Sequence, residues 1–163
     1  MDGYFHVAPS LLKKIDDVQS KFIQELGLSC EEAFLCHNFP PPCLRRNIGI
    51  LGLLHKRVLG KCHPSFEVLL PWQPPHVSER VIRSHSKQLY GHHMEITHHQ
   101  AIFNRSIFTM VDIYNSLAQH VVDISSVSAF QSYLMQIART RCEHGDPEWS
   151  LSFSRSTEYN LEE

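Results

Sequence analysis

Long apolar runs are missing from the sequence. The longest one, at residues 48–54, is interrupted by glycines and ends at a His-Lys-Arg triplet. A membrane-spanning helix needs about 18 or more consecutive apolar residues. No secretory signal peptide is recognisable at the first residues. We therefore expect no membrane span and an intracellular protein, although nothing in the sequence names a compartment.

Closely spaced cysteine pairs are missing too. The five cysteines are odd in number and form no C-x-x-C pair. This pattern fits neither a complete disulfide framework nor the ordinary spacing of a zinc site. It favours free thiols in a reducing compartment.

Recognisable catalytic motifs are absent as well. The sequence contains no G-x-S-x-G, no catalytic-cysteine signature and no phosphate-binding glycine loop. One carboxylate pair, Asp16-Asp17, could in principle bind magnesium, but it lies in the middle of a predicted helix. Two-metal catalysis needs several carboxylates converging on metals about 4 Å apart. We therefore expect no enzyme activity and no cofactor.

An overall positive charge is also lacking. The formal net charge is −2, whereas free-standing nucleic-acid binders are usually basic. Residues 45–61 nevertheless form a local basic stretch without a single acid. Its cations are candidates for RNA or DNA phosphate contacts: Arg45, Arg46, Lys56, Arg57 and Lys61. The alternative is a solvated helix face whose arginines pair with the carboxylates at positions 16, 17, 31 or 32.

Histidine is abundant, with twelve residues. Four adjacent pairs suggest a metal site at first sight: Cys36-His37, Cys62-His63, His92-His93 and His98-His99. Neighbouring side chains on a helix point about 100° apart, so they do not easily share one ion. Standard zinc sites use C-x-x-C or H-x₃₋₅-H pairs. We therefore expect no metal site, and a histidine-rich metalloenzyme is the weakest hypothesis.

Hydrophobic periodicity predicts an all-α fold, a small irregular bundle of about five helices with one long proline-rich loop. The helices are expected at residues 10–27, 29–37, 40–60, 101–122 and 125–140, with a short helical turn at 64–70. Ser10 is a candidate cap for the first helix, and Ser29 with Glu32 forms a capping box for the second. Gly27 and Gly60 suit the left-handed residue after a helix. We assign the domains as residues 1–70, a Pro/His-rich linker 71–100, a helical pair 101–142 and an irregular tail 143–163, with Trp149 as an anchor.

Apolar residues also predict how two of the helices pack. In the first helix they recur at helical spacing: Leu11, Leu12, Ile15, Val18, Phe22, Ile23 and Leu26. The third helix has a stripe that includes Leu44, Ile48, Leu51, Val58 and either Leu54 or His55. It also tolerates Gly49 and Gly52, each costing about 1 kcal/mol of helix propensity. We therefore expect another backbone to pack closely against that face.

Two stretches carry residues in a particular order. The first stretch has Asp17, Val18, Gln19, Phe22, Leu26, Gly27 and Leu28, then Pro42, Leu44, Arg45, Arg46 and Ile48, then Leu51, Gly52, Leu53, Leu54, His55, Lys56, Leu59, Gly60, Pro64 and Phe66. The second has Arg105, Ser106, Val111, Tyr114, Asn115, Leu117, Val121, Val122, Ser126, Val127, Phe130, Gln131 and Leu134. Together they resemble the region after the polymerase core in reverse transcriptases of non-LTR (LINE-like) retrotransposons. The resemblance covers most of residues 8–138.

The resemblance implies a thumb-like or post-thumb helical region, which in that family would help to hold template and primer. It does not imply polymerase activity, because the aromatic-x-Asp-Asp hairpin is missing and Asp16-Asp17 follows Lys14-Ile15. Our first hypothesis is therefore a non-catalytic fragment derived from such a retroelement, beginning near Met1, with residual RNA or DNA backbone binding. The alternative is a host-recruited structural subunit of a larger assembly. It predicts exposed apolar helix faces.

Overall fold

The computed structural model describes residues 9–73, 85–91 and 107–154 of the 163-residue chain. Over these residues the protein is an all-α bundle of seven α-helices and one 3₁₀ turn. The predicted fold class is therefore confirmed. None of the helices in these three ranges combines the length and apolarity that crossing a membrane requires.

The N-terminal helices form largely where local sequence signals place them. They are α1 (Pro9–Glu25), α2 (Cys30–His37), α3 (Pro42–Val58) and α4 (Ser65–Leu69). The capping box of α2 is confirmed, since the Glu32 N–H donates to Ser29 Oγ at 3.0 Å and the Ser29 N–H donates to Glu32 Oε2 at 2.8 Å. Gly27 and Gly60 have the expected positive φ of 69° and 67°. Ser10 was expected to cap α1 but lies inside the helix, because Pro9 already occupies its first turn.

The C-terminal half departs from the prediction in one place. Residues 101–122 were predicted as a single helix, but two helices are present, α5 (Thr109–Ser116) and α6 (Gln119–Val122), and residues 101–106 lie outside the described part. Leu117 and Ala118 between them are extended, with ψ of 150° and 152°. The Asn115 carbonyl accepts a hydrogen bond from Gln88 Nε2 at 3.3 Å. A tertiary contact therefore takes an acceptor that a continuous helix would use.

The last helix agrees with the prediction, and Trp149 is buried as expected. Helix α7 (Val127–Glu143) begins after Ser126, whose Oγ accepts a bond from the Ala129 N–H. The chain then turns at Gly145 and makes a 3₁₀ turn at Trp149–Leu151. Trp149 is buried and stacks on Phe34 of α2 with ring centroids 5.0 Å apart. Trp149 thus anchors the segment after α7 on the N-terminal half of the chain.

Both described ends of the proline-rich loop are joined to each other. Trp72 and Leu89 form an isolated antiparallel bridge. The Tyr90 N–H donates to the Pro71 carbonyl at 2.8 Å, and the Gln73 N–H donates to the Gln88 carbonyl at 3.1 Å. Residues 74–84 and 92–106 of the predicted linker and helix lie outside the described residues. The domain boundaries that we assigned from the sequence stay a prediction.

The core is built around α3. It packs most extensively on α7, and also contacts α1, α5 and the 3₁₀ turn. The largest fully buried apolar side chains come from α2, α3, α5, α6, α7 and the ends of the loop: Tyr114, Phe34, Phe130, Leu44, Leu51, Leu54, Leu70, Leu89, Leu134, Val111 and Val122. Residues from both halves of the sequence therefore share one core, which leaves α1 at its edge.

Candidate functional site

Arg45 and Arg46, the first two cations of the predicted phosphate-binding set, contact side chains of α1. Both terminal nitrogens of Arg46 donate to the Asp16 carboxylate, at 2.6 and 2.8 Å. Arg45 Nη2 donates to Gln19 Oε1 at 2.7 Å, and its guanidinium lies 5.7 Å from the Phe39 ring centroid. Gln19 in turn donates to the Pro40 carbonyl at 3.0 Å. These contacts fasten α1 to the start of α3, and Arg46 pairs with an acid as our alternative interpretation expects.

The other three cations lie elsewhere. Arg57 is buried; its Nε donates to the Leu70 carbonyl at 3.1 Å, and its guanidinium lies 5.2 Å from the Trp72 ring centroid. Lys61 Nζ donates to the Ser125 carbonyl at 3.2 Å. Lys56 is exposed on the last turn of α3. The predicted site residues therefore have different neighbours, and the structure does not bring all five together on one surface.

The metal-like pairs also stay apart over the described residues. No group of three or more His, Cys, Asp or Glu side chains within ranges 9–73, 85–91 and 107–154 is placed to hold a metal ion. The pairs His92-His93 and His98-His99 lie outside these ranges. In the described part, burial raises the pKa of the Cys30, Cys43, Cys62 and Cys142 thiols. Thiols with raised pKa values are poor nucleophiles and poor ligands at neutral pH.

A buried polar centre joins the two halves of the chain. His55 of α3 is fully buried, with Nδ1 3.0 Å from Tyr114 Oη and Nε2 2.7 Å from the Ile124 carbonyl oxygen. Because a carbonyl only accepts, Nε2 carries the proton and Nδ1 accepts from the Tyr114 hydroxyl. The imidazole also stacks on Phe130, with ring centroids 4.0 Å apart. Both ring nitrogens have protein partners, so His55 ties α3 to α5 and to the segment between α6 and α7.

Burial shifts the titration of this centre. It lowers the pKa of His55 and raises the pKa of Tyr114, since each charged form would be desolvated. His85, in the loop, donates from Nε2 to the Tyr114 carbonyl at 3.0 Å, and burial likewise lowers its pKa. Both imidazoles are therefore neutral at pH 7.

The inner stripe of α3 contains both of the residues between which the sequence left a choice. We predicted either Leu54 or His55 there, and in the structure both side chains are buried.

The outer face of α1 has the opposite character. Four large apolar side chains on this face, and Leu26 in the turn that follows the helix, have between 42% and 68% of their surface exposed: Leu11, Ile15, Val18, Phe22 and Leu26. Their spacings of four and three residues align them in one ridge about 22 Å long. We call this ridge the α1 seam. Ile23 and Gln19, about a quarter turn away, are buried.

The α1 seam ends in a small apolar recess between α1 and α2. The recess has a volume of about 240 Å³. Its lining is apolar apart from His37: Phe22, Ile23, Leu26, Leu28, Ala33, His37 and Phe39. The Phe22 and Phe39 rings meet edge to face with centroids 6.2 Å apart. The seam and the recess adjoin each other, because Phe22 and Leu26 belong to both.

The sequence pointed to an amphipathic α1 but not to the direction of its apolar face. The available signal was that Leu11, Ile15, Val18 and Phe22 follow the four-three spacing of a helix-pairing seam. Leu12 and Ile23 lie outside that spacing and face inward. Polar residues on the inner side, Asp16 and Gln19, become interpretable only once their arginine partners on α3 are known.

Comparison of the chain with protein-family models, with curated proteins and with solved structures finds no match. The relation to non-LTR reverse transcriptases therefore stays a prediction that rests on the sequence pattern alone.

Proposed function

We propose that this chain is a non-catalytic helical subunit that binds another protein through the α1 seam. The observation that carries the proposal is the row of exposed apolar side chains that four residues of α1 and Leu26 after it present on one side. Soluble monomers rarely leave contiguous apolar patches of more than a few hundred Å² uncovered, and larger ones mark interaction sites. A partner that covers the seam would remove this surface from water.

The way in which α1 is attached supports the same function. Its inner side is held by the Arg46–Asp16 ion pair and by the Arg45–Gln19 hydrogen bond. The helix therefore contributes polar contacts to its own domain and turns most of its apolar side chains outward. If α1 served only the core, burying those side chains would be worth about 25 cal/mol per Å². The exposed side chains do not contribute this free energy of burial to folding. A role in binding a partner explains why they are nevertheless apolar.

An origin from a retroelement reverse transcriptase remains part of the proposal. Residues that carry the resemblance also supply contacts between helices: Gln19 binds Arg45, and His55 binds Tyr114. Such contacts maintain a fold without requiring polymerase activity. The proposed residual binding of RNA or DNA has less support than the proposed origin. Four of the five candidate cations already make contacts within the chain: Arg45, Arg46, Arg57 and Lys61.

A matched pair of valine substitutions tests the proposed function. Val18 lies in the α1 seam and Val68 on α4, and both are highly exposed. We expect Val18→Glu to abolish co-purification of a fixed set of partner proteins, and Val68→Glu to leave it intact. The measurement is affinity purification of the native protein after RNase treatment, with partners quantified by mass spectrometry.

The outcomes separate the two functions. Partners that survive RNase at constant stoichiometry and are lost only with Val18→Glu support the protein-binding function. Partners that disappear with RNase in the wild-type protein, or that persist in Val18→Glu, contradict it. In the RNase-sensitive case the residual nucleic-acid role becomes the better description. Thermal unfolding of both variants checks that they remain folded.

A further inference from the structure

The side chain of Arg57 is buried without the partner that a buried cation normally has. Only 5% of its surface is exposed, and arginines are rarely buried so deeply unless they are paired. Its Nε donates to the Leu70 carbonyl at 3.1 Å. Within residues 9–73, 85–91 and 107–154, no hydrogen-bond acceptor binds the two terminal nitrogens and no carboxylate forms an ion pair with them.

The other arginines of these ranges show that Arg57 is an exception. Terminal nitrogens of Arg46 and Arg141 lie 2.6 Å from carboxylate oxygens. Those of Arg45 and Arg139 donate to amide or backbone carbonyl oxygens at 2.7–3.2 Å. Among the five described arginines, Arg57 is the one in the buried class and the one whose terminal nitrogens have no acceptor. Its terminal N–H groups are therefore available to an external acceptor.

We propose that Arg57, together with Trp72, forms a binding site for a carboxylate ligand. A guanidinium presents its N–H donors in a planar fork that matches the two oxygens of a carboxylate. One guanidinium also balances the single negative charge of one carboxylate. The ligand is a free organic acid or an acidic side chain of a bound peptide, and the carboxylate is the chemistry that both share.

Trp72 brings the site to the surface. The Arg57 guanidinium lies 5.2 Å from the Trp72 ring centroid, and 46% of Trp72 is exposed. In the bridge between Trp72 and Leu89 the flanking residues make the hydrogen bonds, so the Trp72 N–H points away from Leu89. No described residue accepts a hydrogen bond from it. Trp72 therefore supplies an apolar wall and one more donor.

The charged residues near Arg57 in the chain favour a carboxylate over a nucleic acid. Glu67 is exposed on α4 and is not ion-paired with Arg57. Lys56 is exposed, and its position on α3 is rotated about 100° from that of Arg57. Nucleic-acid binding calls for several cations along a phosphate backbone. A single buried guanidinium beside an indole instead suits one carboxylate.

The site lies apart from the α1 seam, so this inference is independent of the function proposed above. Arg45 marks the place where α3 contacts α1. Arg57 follows it by twelve residues, which is about 18 Å further along the helix axis. A ligand at Arg57 therefore does not depend on a partner at the seam.

Titrations of the full chain with matched ligands test the site. Benzoate and the peptide acetyl-Val-Glu-Val-amide each carry one carboxylate, and benzamide and acetyl-Val-Gln-Val-amide are their neutral counterparts. Binding is followed through the tryptophan indole N–H signals in nitrogen-15 NMR spectra at about 0.15 M salt. We expect at least one acid to bind about tenfold more tightly than its neutral counterpart. It should shift the signal of Trp72 but not that of the buried Trp149.

Three variants identify the residue responsible. Arg57→Gln should bind acid and amide equally, and Arg57→Lys, which keeps the charge without the fork, should lose most of the preference. Lys56→Gln removes the same charge at an exposed neighbouring position and should keep the preference. The Trp149 signal shows whether each variant is folded. The comparison of acid with amide in the wild-type protein needs no substitution, so it tests the site even if Arg57→Gln does not fold.

The outcomes separate the ligand sources. Equal binding of acids and amides by the wild-type protein overturns the inference, and so does a preference for acids that persists in Arg57→Gln. Inorganic phosphate that binds more tightly than either acid overturns it in favour of a phosphate site. A preference confined to benzoate supports a free acid, and one confined to the peptide supports an acidic side chain. Val18→Glu should bind the acids like the wild type, so failure of this inference leaves the proposed function standing.

Discussion

Helices α1 and α3 have the same length, 17 residues each, and use their apolar side chains in opposite ways. In α3 the apolar stripe is buried against α7 and α5, and even His55 is enclosed. In α1 the apolar stripe is exposed, and ion pairing and hydrogen bonding hold the other side. An amphipathic pattern therefore indicates that a helix face needs covering, but not whether the same chain covers it.

The two helices also differ in what a substitution should do. A side chain of α3 or of its neighbours contributes to the folding free energy, because its removal leaves a cavity or an unsatisfied polar group. A side chain of the α1 seam should contribute little to folding and much to association. The following four comparisons test this difference, from the largest expected effect to the smallest.

The first comparison uses two phenylalanines. Phe130 is fully buried against His55, whereas Phe22 is half-exposed in the α1 seam. We expect Phe130→Ala to lower the free energy of unfolding by about 3–5 kcal/mol, and Phe22→Ala to lower it by only about 1 kcal/mol through its edge contact with Phe39. Urea unfolding followed by circular dichroism measures both. Equal losses would mean that the α1 seam belongs to the core.

The second comparison concerns the buried imidazole. His55→Leu should lower the free energy of unfolding by about 2–3 kcal/mol, because the Tyr114 hydroxyl and the Ile124 carbonyl lose their partner in the interior. His120→Leu, on α6, removes only an exposed hydrogen bond to the Tyr133 hydroxyl at 3.1 Å and should change it by less than about 1 kcal/mol. The same urea titrations at pH 7.5 give both values. A neutral effect of His55→Leu would contradict the structural role of this histidine.

The pH dependence of the free energy of unfolding gives a further test of the buried imidazole. Burial lowers the native pKa of His55 and His85 from 6.5, so the unfolded chain binds more protons than the native chain below that pH. The free energy of unfolding should therefore be highest above pH 6.5 and fall as the pH drops below it. In His55→Leu part of this fall should disappear. An identical pH dependence in wild type and variant would count against a buried neutral His55.

The third comparison uses two glycines of α3. A Cβ on Gly52 would overlap the Gln131 side chain of α7, whereas a Cβ on Gly49 would meet nothing within 4 Å. Gly52 is therefore closely packed, but the atoms nearest to it belong to the Gln131 side chain and not to the expected backbone. For Gly49 the expectation of close packing is wrong. Gly52→Ala should destabilise the protein by about 1–2 kcal/mol, and Gly49→Ala should stabilise it by about 0.5–1 kcal/mol. Thermal melts of the two variants should shift in opposite directions.

The fourth comparison separates a structural cation from a solvated one. Arg46→Ala removes a partly buried two-bond ion pair with Asp16 and should destabilise the protein by about 1 kcal/mol. Lys56→Ala, at an exposed site, should have an effect within about 0.5 kcal/mol. If Arg46→Ala keeps full stability but flattens the salt dependence of RNA binding, the phosphate-contact hypothesis gains support.

Signals that act over one helical turn were sufficient to predict much of this protein. The all-α class, the capping box at Ser29 and the left-handed residues Gly27 and Gly60 follow from side chain–backbone geometry within a few residues. These features depend on local chemistry, so the sequence alone determined them.

Other features depended on partners distant in the chain. Gln88 lies 27 residues before Asn115, and its contact accompanies the break between α5 and α6. Asp16 lies 30 residues before Arg46, and that ion pair directs Arg46 toward α1. The outward direction of the α1 seam also depends on distant residues. Helix α1 has apolar side chains on more than one side, and only the side that contacts the rest of the domain, at Ile23, is buried. Only the tertiary structure determines which side of α1 is buried, because hydrophobic periodicity predicts that a helix face is apolar but not which surface packs against it.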